Sequence, residues 1–301
     1  MIKTVGIFQY PKNIFFHHGK EEMLYDSSDS FQEIVIKSID DLLPFTTTDI
    51  SYSYRGQSNS EWRLKTTFER FLEERKVTID KFRIEEKILK KYKSEASIFS
   101  YQLGYDPLSQ DALDSLADIQ HHGGPTRLLD FTSSFNVALF FATFNNFKTN
   151  SAVYCLRQMI LNEANFDIRK VIMRQPSEPG VLESLPPSKD ENKLLYFHVP
   201  KRKNERLQRQ DGHFICSGSA RHSFEESLSY TFGLPIIFKK QASPNINDVI
   251  LRSTLIKVVI PKELSGEVQR FLKRSSITAS TLFPDYHGAI QSLYEIETDR
   301  I

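Results

Sequence analysis

Residues 120–144 have the sequence QHHGGPTRLLDFTSSFNVALFFATF, which contains the clearest local signals in the chain. The Gly-Gly-Pro after the two histidines cannot continue a helix, so a helix predicted over 113–120 ends there. The apolar segment TRLLDF predicts a buried strand. Apolar residues then recur at helical spacing, and the Thr and Ser residues at 132–134 are N-cap candidates for the helix that they predict. The members of this apolar stripe are Val137, Phe140, Phe141 and Phe144.

The rest of the chain predicts further helices and strands around this segment. Helices are predicted over 30–43, 64–75, 84–99 and 262–274. Strands are predicted over 50–56, 152–156, 213–216, 235–238 and 255–260. Because most predicted helices precede most predicted strands, we expect an α+β fold rather than a parallel doubly wound sheet. Its sheets are expected to be small, mixed or antiparallel, with the helices clustered in the N-terminal half.

A single domain is expected to span residues 1–301, with its core at about 30–160 and 206–292. Residues 161–205 contain five prolines among charged residues and predict an insertion or a long loop. A local basic stretch, KRKNERLQR at 201–209, begins within this segment.

The composition excludes several classes of protein. The chain has 39 Lys and Arg against 38 Asp and Glu, so its formal net charge of +1 argues against a generally polybasic protein. Its two cysteines, Cys155 and Cys216, form no CxxC pair, which excludes a disulfide scaffold and disfavours a cysteine-based zinc site. No segment approaches the about 18 apolar residues of a membrane span. We therefore expect a cytoplasmic protein with no membrane partner and no metal.

Common nucleotide and hydrolase motifs do not occur in the chain. There is no GxxxxGK[ST] phosphate-binding loop, no GxGxxG after a strand, no HExxH and no GxSxG. The chemistry of the protein must therefore be sought in less familiar patterns.

One such pattern is Tyr54-Arg55-Gly56-Gln57 at the end of an aromatic strand. An Arg in this position, followed at once by Gly, is well placed to present its guanidinium at a sheet edge, where Gly lets a turn or a ligand come close. The guanidinium fork matches phosphate or carboxylate. The alternative is structural: Arg55 pairs with a core carboxylate and holds a turn.

A second pattern is the Arg and the Asp among the leucines of the predicted central strand. Strand parity places Arg127 and Asp130 on opposite faces unless a bulge intervenes. Since an unpaired buried charge is costly, Asp130 needs another partner, for which Arg55 is a candidate. The alternative is a structural Arg–Asp network in which Thr132 or Ser133 caps a helix.

These residues carry a resemblance to the FRG domain family. Its aromatic-Arg-Gly motif is matched by Tyr54-Arg55-Gly56, and its Q-H-x-G-x-P-T-R-L-L-D-x-T motif by residues 120–132, with Phe131 where the family often has Trp. Two later segments also resemble the family and extend the likeness over most of 30–292. They are Arg206…Gln210-x-Gly212-x-Phe214 and Leu282-Phe283-Pro284-Asp285…Gly288.

The layout of this family is similar to the ADP-ribosyltransferase fold of the R-S-E type. The resemblance implies that Arg55 holds the phosphates of NAD and that the Ser/Thr-rich strand end at 132–134 serves as the second element. The third element, a catalytic Glu, is not found in its expected place, because residues 277–281 contain no carboxylate. The open candidates for it are Asp130, Asp285, Glu295 and Glu297.

The resemblance implies an enzyme with NAD as its substrate, either a mono-ADP-ribosyltransferase or an NAD glycohydrolase, without a metal. It would act in a bacterial or phage-infected cell, as a toxin or a defence protein, with a protein or a nucleic acid as the possible acceptor. The implied catalytic residues are Arg55, Arg127, Asp130 and Thr132. The implied NAD-binding residues are Tyr54, Gly56, Gln57, His121 and His122.

Two alternatives stay open at this point. The first is a non-catalytic module on the same fold that binds a nucleotide, a nucleic-acid end or a protein tail, which the missing Glu and the basic stretch favour. The second is a hydrolytic or nuclease-like chemistry that uses His122, Asp130 and Arg127 and would depend on a metal.

Overall fold

A computed structural model describes residues 31–158, 193–202, 204–232, 235–240 and 244–296. Within these residues the chain forms one eight-stranded mixed sheet with helices packed on both faces. The α+β class is thus confirmed, but the strands join one large sheet instead of several small ones. Most of the predicted insertion lies outside the described residues.

The strands follow the order β5-β6-β3-β2-β4-β8-β1-β7 across the sheet. Their bounds are β1 (Phe31–Val35), β2 (Tyr52–Gln57), β3 (Leu128–Thr132), β4 (Ser151–Arg157), β5 (Leu195–His198), β6 (Gly212–Ser217), β7 (Lys239–Lys240) and β8 (Leu255–Ile260). Strand β1 is parallel to both of its neighbours, β7 and β8, and the other pairs are antiparallel. Lys257 of β8 donates a hydrogen bond of 2.8 Å to Glu33 of β1, which fixes this side of the sheet.

The helices are distributed along the whole described chain, so the expectation that they cluster in the N-terminal half is not met. The first six are α1 (Leu43–Thr47), α2 (Thr67–Glu74), α3 (Lys81–Ala96), α4 (Ser100–Leu103), α5 (Ala112–His121) and α6 (Phe135–Thr143). The later ones are α7 (Glu205–Arg209), α8 (Phe224–Phe232), α9 (Ile246–Arg252), α10 (Ser265–Arg274), α11 (Ala279–Leu282) and α12 (Tyr286–Gln291). Several of these later helices have fewer than two turns, too few for an apolar period to show in the sequence.

Three stretches differ from the sequence prediction. The helix predicted over 30–43 is wrong at its start, where β1 forms instead. Four successive residues of β1 are buried because both faces of the sheet are covered, with Ile34 in one core and Phe31 in the other. A continuously buried run has neither the period of a helix nor that of a strand. Strand β5 lies within the predicted insertion, and residues 235–238 precede the short β7 instead of forming a strand.

Helix α6 packs closely on β2 because of Gly56. Seven of the nine residues of α6 are buried, so the helix runs through the core. A Cβ atom added at Gly56 would lie 2.0 Å from the carbonyl oxygen of Ala138 and 2.7 Å from the backbone nitrogen of Ala142. Glycine is therefore required at this position by the helix above the strand.

Helix α8 covers part of the opposite face, where Phe224 and Leu228 pack against Leu129 and Phe131 of β3. None of the described helices has the length and apolar character needed to span a membrane.

Replacement of Gly56 by Ala is expected to lower the free energy of unfolding by about 1–3 kcal/mol, the usual cost of overpacking. The matched control is Gly266→Ala in α10, where the nearest atom to the new Cβ, Nη1 of Arg270, is 3.8 Å away. This control should be neutral or more stable by up to about 1 kcal/mol, since Ala favours a helix over Gly. Urea denaturation of both variants measures the difference, and equal stabilities would contradict the packing argument.

Candidate functional site

The candidate site lies where β2 and β3 separate. The two strands are paired only at Tyr54 and Thr132, whereas β2 pairs with β4 at every position from Tyr52 to Gln57. A cleft of about 1110 Å³ opens beside this separation. Its lining includes Arg55, Asp130 and Thr132, which the sequence analysis selected.

Arg55 spans the gap between the separated strands. Its Nη1 donates a hydrogen bond of 2.8 Å to the backbone carbonyl of Asp130 and lies 3.9 Å from Oδ2 of the same residue. The side chain is 18% exposed, and its Nε is buried without a hydrogen-bond partner among the described residues. Burial lowers the pKa of Arg55, and the Asp130 carboxylate only partly opposes this effect. Arg55 is therefore a partly desolvated cation with a donor to spare.

Asp130 presents its carboxylate to the cleft, and its side chain is 61% exposed. Nε2 of Gln120 donates a hydrogen bond of 2.9 Å to Oδ2, while Oε1 of Gln120 accepts one of 2.6 Å from the Thr126 hydroxyl. This network orients the carboxylate from α5. Arg55, the candidate partner of Asp130, thus lies within ion-pair distance of it, at 3.9 Å.

Arg127 does not line the cleft. Its Nε lies 3.4 Å from Oε1 of Glu85 in α3, and the two side chains are 4% and 1% exposed. Burial raises the pKa of Glu85, with the charge of Arg127 opposing the rise. Arg127 also donates a hydrogen bond of 3.3 Å to the carbonyl of Gly218. Its position indicates that it holds α3 against the sheet.

The Thr132 hydroxyl holds the segment that precedes β6. It donates a hydrogen bond of 2.6 Å to the carbonyl of Gln210 and accepts one of 3.0 Å from the Ser134 N–H. Ser134 is the N-cap of α6. Gln210 in turn donates a bond of 3.1 Å to the carbonyl of Leu282. The late motifs of the sequence are thus tied to the cleft through Thr132.

The neighbours of Arg55 in β2 have different surroundings. The Tyr54 ring packs in the core at 5.5 Å from Phe135, edge to face, and burial raises its pKa. Gly56 faces α6, as described above. Gln57 is buried and lines the cleft; its Nε2 donates a bond of 3.4 Å to the carbonyl of Arg63, and its Oε1 has no partner among the described residues. Of these three, Gln57 has a side chain with an unused polar atom.

The two adjacent histidines are not equivalent. His121 lines the cleft, and His122, whose ring centroid is 4.9 Å away, is not among the lining residues. Burial lowers the pKa of His121, and the nearby charges of His122 and Arg206 lower it further. The hydrolytic alternative uses His122, Asp130 and Arg127. The structure does not bring these three residues together, because only Asp130 lines the cleft. No group of three or more potential metal ligands occurs within the described ranges.

Arg206 is a cleft residue to which the sequence analysis gave no role. Its guanidinium lies over the Phe283 ring, 4.4 Å from the centroid, and makes no hydrogen bond or ion pair with the part of the chain that the structure describes. Burial lowers its pKa, and the carboxylates of Asp130 and Asp285 oppose this. The sequence does contain a signal for this contact, because Arg206 and Phe283 belong to the two late motifs that resemble the family.

The other charges of the cleft are largely engaged with each other. Lys65 pairs with Glu73, Lys201 with Asp111, and His198 with Asp114. The carboxylate of Asp118 accepts hydrogen bonds from the hydroxyls of Tyr92 and Tyr105. Arg55 and Arg206 remain as two guanidiniums of the cleft for which Asp130 is a nearby opposite charge, and Asp285 is a second one for Arg206.

Residues 50–151 match the family model of the FRG domain. This match confirms the resemblance seen in Tyr54-Arg55-Gly56 and in residues 120–132, both of which lie within the matched segment. The matched segment contains both separated strands and α6. No curated protein and no solved structure matches the chain.

The variant Arg127→Met is expected to lose about 3–5 kcal/mol of stability at neutral pH, because Glu85 is left as an unpaired buried carboxylate. The pKa of Glu85 is already raised in the folded protein, and loss of Arg127 raises it further. A raised folded-state pKa gives stability that is present at acid pH and lost as the pH rises through that pKa, so the defect should shrink on acidification.

Urea denaturation at several pH values measures this effect. The control is the double variant Arg127→Met with Glu85→Leu, which removes both charges and should recover most of the lost stability at neutral pH. A defect of the single variant that does not change with pH would show that the buried pair is not its cause.

Proposed function

We propose that the cleft binds NAD through Arg55 and that the protein cleaves the bond between nicotinamide and ribose, as an ADP-ribosyltransferase or an NAD glycohydrolase. The observation that carries this proposal is the partly desolvated guanidinium of Arg55, whose Nε has no partner and which borders a cleft of about 1110 Å³. The resemblance of the FRG domain to the ADP-ribosyltransferase fold supplies the choice of NAD.

A pyrophosphate suits the centre of the cleft. The planar guanidinium fork binds phosphate oxygens with two parallel hydrogen bonds, and such bonds strengthen where water is excluded. Arg206 supplies a second guanidinium in the lining of the same cleft, with Asp130 and Asp285 as nearby opposite charges. Two guanidiniums in one cleft provide several N–H donors for phosphate oxygens.

Asp130 is the best-placed of the open carboxylate candidates. Asp285 caps α12 by accepting a hydrogen bond of 3.1 Å from the Gly288 N–H, and Glu295 accepts one of 2.7 Å from the Ala279 N–H. Glu297 lies outside the described residues. Among the three candidates that the structure describes, Asp130 alone lines the cleft.

In the proposed reaction, phosphate competes with the Asp130 carboxylate for Arg55 and releases the carboxylate towards the ribose. Nicotinamide leaves with the electron pair of the glycosidic bond, and positive charge develops on the ribose. A nearby carboxylate stabilises that charge. Water or an acceptor nucleophile then bonds to the same ribose carbon and gives up its proton.

Nicotinamide release from NAD should be lost in Arg55→Ala and reduced nearly as much in Arg55→Lys, because a point charge cannot replace the planar fork. The matched control is Arg209→Ala, which removes an exposed guanidinium outside the cleft that pairs with Glu205. Chromatographic assay of nicotinamide, with and without a cell extract as a source of acceptor, measures the activity. An Arg55→Lys enzyme with full activity would contradict the proposed role.

The variant Asp130→Asn should separate binding from chemistry. Its affinity for NAD, measured by isothermal titration calorimetry, is expected to be unchanged or higher, since the phosphates no longer compete with a carboxylate for Arg55. Turnover is expected to fall by about 100-fold or more, the scale of losing one stabilising group of the transition state. Unchanged turnover would exclude Asp130 as the catalytic carboxylate.

The second candidate function is a non-catalytic module that binds a nucleotide or a nucleic-acid end. The observation that favours it is the engagement of the Asp130 carboxylate by Gln120 and Arg55, which would leave it as an orienting group. A labelled single-stranded oligonucleotide with a terminal phosphate tests this function. Binding that weakens linearly on a logarithmic salt scale, without release of nicotinamide from NAD, would favour it over catalysis.

A further inference from the structure

Trp62 is an exposed aromatic residue in the wall of the cleft. It is the only tryptophan of the chain and lies between β2 and α2. Trp62 is 56% exposed and borders the same cleft as Arg55. Its ring makes no contact with another ring or a cation among the residues that the structure describes.

The exposure of Trp62 is not the result of a loose segment. The Tyr154 hydroxyl donates a hydrogen bond of 3.2 Å to the Trp62 carbonyl, and the Trp62 N–H donates one of 3.2 Å to the carbonyl of Asn59. The next two residues are held by Glu225, which accepts a bond of 2.6 Å from Nε of Arg63 and one of 3.1 Å from the Leu64 N–H. The fold therefore fixes the backbone on both sides of the indole and leaves the ring in solvent.

The Tyr and Phe rings of the described cleft lining are already in use. Tyr54, Phe131 and Phe214 are buried in the core. Phe141 packs against Phe140 and Phe283. The Tyr105 ring carries the guanidinium of Arg202 at 4.5 Å. Apart from the smaller imidazole of His121, Trp62 is the ring of this lining with a face available to a ligand.

Two guanidiniums lie close to Trp62 along the chain. Arg63, which pairs with Glu225, directly follows it. Arg70 of α2, whose Nη1 donates a hydrogen bond of 2.8 Å to the Lys65 carbonyl, lines the cleft and contributes to the electrostatic environment of Arg55. An open aromatic face beside cations is the combination that proteins use for nucleotides, because each base has a π-face and each phosphate a negative charge.

We propose that Trp62 stacks on a flat heteroaromatic ring of the nucleotide whose phosphates Arg55 holds. This inference rests on the proposed function of the cleft as a nucleotide site. It assigns to Trp62 the recognition of the base, separately from the recognition of phosphate by Arg55. The ring is either the adenine or the nicotinamide of NAD, and ligands that carry only one of them distinguish the two sources.

The test uses the fluorescence of the single tryptophan together with calorimetry. The probes are NAD, ADP-ribose, nicotinamide mononucleotide and ribose 5-phosphate, with excitation at the red edge of tryptophan absorption to avoid absorption by the ligands. Stacking should quench Trp62 fluorescence with NAD and with only one of its two ring-bearing fragments: ADP-ribose if the ring is adenine, nicotinamide mononucleotide if it is nicotinamide. Ribose 5-phosphate, which has no ring to stack, should leave the fluorescence unchanged.

The variant Trp62→Leu should bind the ring-bearing ligands about tenfold more weakly, the usual scale of one lost stacking contact. Its affinity for ribose 5-phosphate should equal that of the wild type, and Trp62→Phe should recover part of the loss. The matched control is Phe147→Leu, which replaces an exposed aromatic residue, 57% accessible, that lies outside the cleft. This control should bind all ligands like the wild type.

The outcomes separate the two proposals. If wild type binds NAD and Arg55→Ala does not, but Trp62→Leu binds every ligand normally, the stacking role is wrong and the proposed function stands. If Trp62→Leu loses affinity equally for ribose 5-phosphate and for the ring-bearing ligands, its effect is on cleft structure and the stacking role is again wrong. If wild type binds none of the probes, both proposals fail.

Discussion

The hydrogen bond from Arg55 to the carbonyl of Asp130 is the interaction on which the site depends. Strands β2 and β3 are paired at one position only, so the Asp130 carbonyl on the side of β2 needs a donor from elsewhere. The guanidinium supplies that donor and keeps the strands apart at a fixed width. This one hydrogen bond thus both maintains the opening between the strands and places a cation beside it.

The residues of the aromatic-Arg-Gly motif lie on the two different faces of β2. Tyr54 and Gly56 belong to the face covered by α6, the first through ring packing and the second through its lack of a side chain. Arg55 points to the other side and meets the cleft. Tyr54 and Gly56 therefore position Arg55. The alternation of side chains between the two faces of a strand also separates Arg127, which pairs with Glu85, from Asp130.

The elements with a clear period and clear boundaries could be predicted from the sequence. Helix α6 and strand β3 were found because a Gly-Gly-Pro break, an apolar strand and a helical stripe follow one another. Strand β1 could not, because burial on both faces removes its period. Parity separated Asp130 from Arg127 and left Arg55 as a candidate partner. The late motifs contain Arg206 and Phe283, but their stacking joins residues far apart in sequence and is seen only in the tertiary structure.

The parallel pairing of β1 with β8 has a consequence for how the chain acquires its fold. Glu33 and Lys257, which are hydrogen-bonded across these strands, are separated by 224 positions. Contacts of such long range slow folding, because a large loop must close before they form. During synthesis β4, which supports β2, lacks its other neighbour until β8 has left the ribosome. The cleft is therefore expected to mature late, only after nearly all of the described chain has been made.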